Sequence, residues 1–134
     1  MRQGKADLLW PGKVKWYAKS SGKTNDKSKF IPISKDGLHN IHYAGGYDSV
    51  TWYLRNNPKS KLFDGKALIL GGSHAPNYNQ KNSLAGDLSA ILIENINPLV
   101  NMVRTPKKET ALLSDFEIKR DRIAREAIRQ NVTN

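Results

Sequence analysis

The sequence has no cysteine. That absence removes disulfides, thiolate nucleophiles and cysteine zinc sites together. Nor is there an apolar run near the roughly 18 residues of a membrane span, which excludes a helical integral membrane protein. Residues 1–10 lack the apolar core of a secretory signal, so the expected location is cytoplasmic. Acidic residues are scarce: 12 Asp+Glu stand against 22 Lys+Arg, for a formal charge of +10. Such an imbalance favours an anionic partner, whether nucleic acid, an acidic surface or a polyphosphate ligand. What remains is 134 residues, 38% hydrophobic and 25% charged. That is the composition of a globular chain, with the length of one domain or part of one.

The positive charge is uneven. Residues 1–35 hold Arg2, Lys5, Lys13, Lys15, Lys19, Lys23, Lys27, Lys29 and Lys35 against only Asp7 and Asp26. A solvated basic face accounts for such a run as readily as a binding site does.

Hydrophobic periodicity predicts an α/β chain. Val14 to Lys19 alternates with period two and reads as a half-buried strand with Trp16 in the core. Ser20 to Ser28 is a small, polar loop. Phe30 to Ile33 reads as a second strand, which Pro32 confines to an edge or a strand end. Ser34 caps a helix running to about Asn57. Gly45-Gly46 lies inside it, each glycine costing about 1 kcal/mol relative to alanine. The helix therefore either breaks there or packs something against bare backbone. Ala67 to Leu70 is wholly apolar and predicts a buried strand of the parallel type. His74 to Ser83 reads as loop, and Asp87 as the cap of a short helix through Ile91 and Ile93. Ser114-Asp115-Phe116-Glu117 matches a capping box at the start of a last helix, with Phe116, Ile123 and Ala127 on one face. No internal repeat, linker or low-complexity tract interrupts this pattern.

The loop from Ser20 to Lys29 combines hydroxyl side chains, a glycine and three lysines between two strands. Phosphate binding needs unobstructed backbone donors, hydroxyls and nearby cations, and this loop supplies all three. It is not a Walker loop: Tyr17 stands where that motif needs its first glycine, and a strand follows rather than a helix. Basic and aromatic residues mingle at Trp10, Lys13, Lys15, Trp16, Tyr17 and Lys19, as in single-strand nucleic-acid binders, but no nucleic-acid motif accompanies them. His39 and His42 could share a metal, yet no third ligand is evident, so no metal-ligating residue is assigned. His74, after Gly71-Gly72-Ser73 at a strand end, is the better site candidate, because ligands gather beyond the carboxyl ends of such strands.

The stretch from Trp10-Pro11-Gly12 through the Ser20–Lys29 loop to Pro32 resembles the phosphate loop and exit strand of the auxin-responsive promoter family of acyl-acid amido synthetases, which are adenylate-forming enzymes. The bacterial branch also resembles this chain at Ser60-Lys61-Leu62-Phe63, Gly71-Gly72-Ser73-His74, Gly86-Asp87-Leu88-Ser89-Ala90, Arg104-Thr105-Pro106 and Asn131-Val132-Thr133, in the same order. The resemblance implies part of an adenylate-forming N-terminal domain: a β-hairpin phosphate loop plus helices packed on a strand layer. The family enzymes are several times longer. Residues 1–134 are therefore expected to be a fragment of a larger adenylation domain, with no second domain, unable to turn over alone.

The implied partners are ATP with Mg2+, a small carboxylic acid, and an amine or amino acid acceptor. The acid's carboxylate attacks the α-phosphorus of ATP and releases pyrophosphate. The amine then attacks the acyl carbon and displaces AMP. The implied ATP-phosphate residues are Ser20, Ser21, Gly22, Lys23 and Thr24, followed by Lys29. Lys23 stands where the family usually has Thr, and a lysine meets phosphate as a point charge. Gly45, Gly46, Ser73 and His74 are expected to converge on the acid, and catalytic residues stay unassigned. The rival expectation is a non-enzymatic basic module that binds nucleic acid.

Overall fold

A computed structural model describes residues 5–20, 29–77 and 82–133. Two strands open the fold, β1 (Trp16–Ser20) and β2 (Lys29–Ile33), paired antiparallel from Trp16↔Ile33 to Ser20↔Lys29. With β4 (His74–Pro76) and β5 (Leu84–Gly86) they form a four-stranded sheet of order β2-β1-β5-β4, which leaves β2 at an edge as Pro32 requires. β5 runs parallel to β1, and β4 antiparallel to β5. β1 is thus central, and Trp16, Tyr17 and Ala18 are all buried. This corrects the half-buried strand expected from alternation, because a strand flanked on both sides and covered on both faces buries consecutive residues.

Ser34 caps the next helix as expected, its Oγ accepting from Gly37 N at 2.9 Å. The helical run comprises α1 (Lys35–Gly37), a π-helical stretch (Leu38–Tyr43) and α2 (Ala44–Asn56). It does not break at Gly45-Gly46, and nothing packs there: among the described residues, no atom lies within 4 Å of a Cβ built on either glycine. The helix therefore continues through the pair, and among the described residues no protein group outside the helix covers it. α2 buries no residue, and Tyr47, Trp52 and Tyr53 on it are exposed.

The apolar run at Ala67–Leu70 forms only a short strand, β3 (Ala67–Leu68), parallel to β6 (Arg104–Thr105). The parallel pairing matches the expectation. Burial does not, since Leu70 is 61% exposed, the outer side of a two-stranded sheet being uncovered. The expected loop from His74 instead contributes β4 and leads into β5.

Helix α3 (Leu88–Glu94) follows Asp87 and lays Ile91 on β1, closing a core of Trp16, Ala18, Ile33, Leu38 and Ile91. Two short helices, α4 (Pro98–Met102) and α5 (Lys108–Ala111), flank β6, and α6 (Phe116–Ile128) ends the helical part. Its cap is Asp115 rather than Ser114: Asp115 Oδ1 accepts from Ile118 N at 2.9 Å, while Glu117 pairs with Arg120. The final residues return to β3, where Lys66 N donates to Asn131 O at 2.6 Å.

Candidate functional site

The register gathers several chain segments at one end of the sheet. Ala18 lies opposite Gly86 in the parallel pair, and Gly86 opposite His74 in the antiparallel pair. The carboxyl ends of β1 and β5 and the amino end of β4 therefore coincide, which is where open sheets bind ligands. Ser20 and Lys29 close the hairpin there, facing each other across the strand pair. Ser21, Gly22, Lys23 and Thr24 lie outside the described residues.

Next along this end is the turn Gly71-Gly72-Ser73, fastened through the N–H groups of Gly72 and Ser73 and all three carbonyls. Gly72 N donates to Ser89 Oγ at 2.9 Å, and Ser73 N to Asp87 Oδ2 at 3.2 Å. Asp87 N donates to Ser73 O at 3.0 Å. The buried Lys119 on α6 donates its Nζ to Gly71 O, and to Gly72 O at 2.8 Å. Burial lowers the Lys119 pKa below the ordinary lysine value, against the nearby charge of Asp87. Position 72 suits glycine, because a Cβ there would sit 1.8 Å from Asp87 Oδ2 and displace the carboxylate that holds Ser73 N. Beside this turn lies a groove of about 620 Å³ that includes Leu70, Ser73, Phe116, Lys119, Ile123 and Ala127 in its walls. Its chemistry is an apolar wall meeting a polar end that carries Lys119, Arg120 and the carboxylate of Asp87.

His74 does not line that groove. Its ring packs edge-on against Trp16 with centroids 5.3 Å apart, and its Nε2 lies 3.5 Å from Glu94 Oε2. Glu94 also pairs with Lys108 at 3.0 Å. Gly45 and Gly46 are on exposed helix and are not among the groove residues either. Of the four expected acid-site residues, the groove thus includes Ser73 alone.

The chain matches the GH3 family N-terminal domain over residues 1–134, its whole length. It belongs to the GH3 family. No curated protein and no solved structure matches it. GH3 proteins are acyl-acid amido synthetases, ligases that form acyl-adenylates and use ATP, so the resemblance read from the sequence holds at the level of the family.

For a GH3 chain, two buried cations stand out: Lys119, which the motif reading missed, and Arg104, which it included in Arg104-Thr105-Pro106 without assigning it a role. Lys119 falls on the apolar stripe of α6, three residues after Phe116 and four before Ile123. A lysine on such a stripe is the signal that could have found it. Arg104 is 3% exposed, its Nε donating to Asn101 Oδ1 at 2.8 Å and its Nη1 to Pro106 O at 2.9 Å. Burial lowers its pKa, opposed by the charges of Glu109 and Glu126. His39 and His42 sit on the π-helical stretch, and His39 contacts the Tyr43 ring at 5.8 Å. Among the described residues, no group of three or more His, Asp or Glu could hold a metal ion. Nor is any helix there long and apolar enough to cross a membrane.

Proposed function

We propose that this chain carries the phosphate loop of an ATP-dependent acyl-acid amido synthetase, one that activates a carboxylic acid as an acyl-adenylate and passes it to an amine. The observation that carries the reading is the match to the GH3 family along the whole chain. The hairpin supports it, because the Ser20↔Lys29 pair puts the 21–28 connection at the carboxyl end of β1. In this reading Ser20, Ser21, Gly22, Lys23 and Thr24 donate to ATP phosphates, and Lys29 adds charge from the foot of β2. Mg2+ enters with those phosphates, since it keeps most of its waters and leans on substrate oxygens. The acid lies next to the Gly71–Ser73 turn. With strands about 4.8 Å apart and about 3.3 Å per residue, Ser73 is about 10 Å from Ser20, within the span of a nucleotide.

The test is calorimetric titration of the 134-residue chain with MgATP, before and after combining Thr24→Ala with Lys29→Ala. Each lost hydrogen bond to a charged group is worth about 1.5–3 kcal/mol. The double variant should bind at least tenfold more weakly. Unchanged ATP affinity in the variant overturns the residue assignment. Salt-sensitive, sequence-independent DNA or RNA binding without any ATP binding replaces the reading with the basic module.

A further inference from the structure

The N-terminal excess of lysines divides between the two ends of the β1–β2 hairpin. Lys23 and Lys27 belong to the connection, and Lys29 opens β2 beside it. Lys13 and Lys15 precede β1, and Lys35 follows β2, at the opposite end. Five-residue strands separate the two groups by about 13 Å, so the second group does not reach a phosphate held at the connection.

That opposite end holds a cleft of about 700 Å³, lined in part by Trp10, Lys13, Lys15, Lys35 and Asp36 and floored by the buried Trp16. Its size is that of a small-molecule site. The segment presenting Trp10 is a closed turn: Asp7 N donates to Gly12 O at 3.2 Å, and Gly12 N to Asp7 Oδ1 at 2.6 Å. Trp10 remains 37% exposed. None of the three lysines takes part in the ion pairs among the described residues. The one carboxylate of the lining, Asp36, accepts from Asn40 Nδ2. Lys15 Nζ sits over the Trp16 ring, 5.4 Å from its centroid. Lys13 and Lys35, with no ion pair among the described residues, and an accessible indole make a site for a ligand with a flat ring and an anionic group, the ring meeting Trp10 and the anion meeting the lysines.

We propose that this cleft is a second anion site, separate from the phosphate loop, that takes a nucleoside monophosphate. The probe is AMP, titrated against the 134-residue chain while tryptophan emission is followed, with calorimetry for variants lacking Trp10. AMP should quench the emission, and adenosine or inorganic phosphate alone should bind at least tenfold more weakly. Lys13→Gln with Lys35→Gln, both on the surface, should weaken AMP at least tenfold, and Trp10→Leu should remove the quench. Thr24→Ala with Lys29→Ala should leave AMP binding at this cleft intact. The proposal is overturned if AMP binding disappears in that loop variant, an outcome that leaves the phosphate-loop reading standing. It is equally overturned if AMP and adenosine bind alike, if AMP does not bind, or if a single-stranded oligonucleotide binds the lysines and AMP fails to compete.

Discussion

Replacing Gly45 and Gly46 together by alanine should make the protein more stable. Both positions lie inside a helical run that extends from Lys35 to Asn56, and neither has a positive φ. A Cβ at either meets open space. Only the helix propensity term then changes, and alanine is better than glycine by about 0.8–1 kcal/mol per interior site. The pair should add about 1.5–2 kcal/mol. At about 3–4 °C per kcal/mol for a chain of this length, the melting temperature should rise by about 5–8 °C. Thermal melts followed by far-ultraviolet circular dichroism, with urea denaturation alongside, measure it. MgATP affinity should not change. A fall in stability would refute the reasoning, because it would mean that the space over the glycines is occupied in solution.

The opposite sign is expected at Gly86, where a Cβ would lie 2.4 Å from Ser73 O and 2.5 Å from His74 Cα. Backbone of the adjacent strand cannot move aside cheaply, so Gly86→Ala should cost about 3 kcal/mol, read as a lowered urea midpoint. Asp115→Ala removes the cap of α6 and should cost about 1 kcal/mol, whereas Ser114→Ala should cost little. Glu126 is pushed up by burial, but the Thr110 hydroxyl and Lys107 N–H on its carboxylate more than offset this and leave its pKa lowered. A lowered folded pKa means that its contribution is present above the ordinary glutamate value, about 4.3, and is lost as pH falls through the folded one. Glu126→Gln should therefore flatten the acid limb of the stability curve, measured by urea midpoints from pH 6 down to about pH 3.

What could be read in advance was local. The hairpin, the edge position of Pro32, the Ser34 cap and the helix end near Asn57 each depend on a few neighbouring residues. β4 and β5 escaped because three residues are too few to show a period, and Leu84-Ala85-Gly86 owes its strand to β1 in a distant part of the chain. The α6 cap slipped by one position because Ser114 and Asp115 are both good caps and stand side by side. Gly45-Gly46 suggested a ligand because the resemblance places the acid near this helix and glycines leave room on it. The turn at Gly71–Ser73 was visible as glycines and polar residues. Its fastening by Lys119 was not, since that contact joins residues 47 and 48 positions apart.

The central strand acquires its two neighbours by routes of very different length. β2 reaches β1 through a connection of fewer than ten residues, while β5 reaches it only after roughly 60. Closing the longer loop costs about 2 kcal/mol more in chain entropy. The pairing most easily lost is thus β1 with β5, and its loss leaves the hairpin whole. In hydrogen exchange, amides that bridge β1 and β5, such as Leu84 N to Lys15 O, should give up their protons before those shared by β1 and β2. In that partly opened form the hairpin survives, but β1 presents a bare strand edge to other molecules. Self-association would begin from this edge, and a ligand that binds only the closed sheet would suppress it.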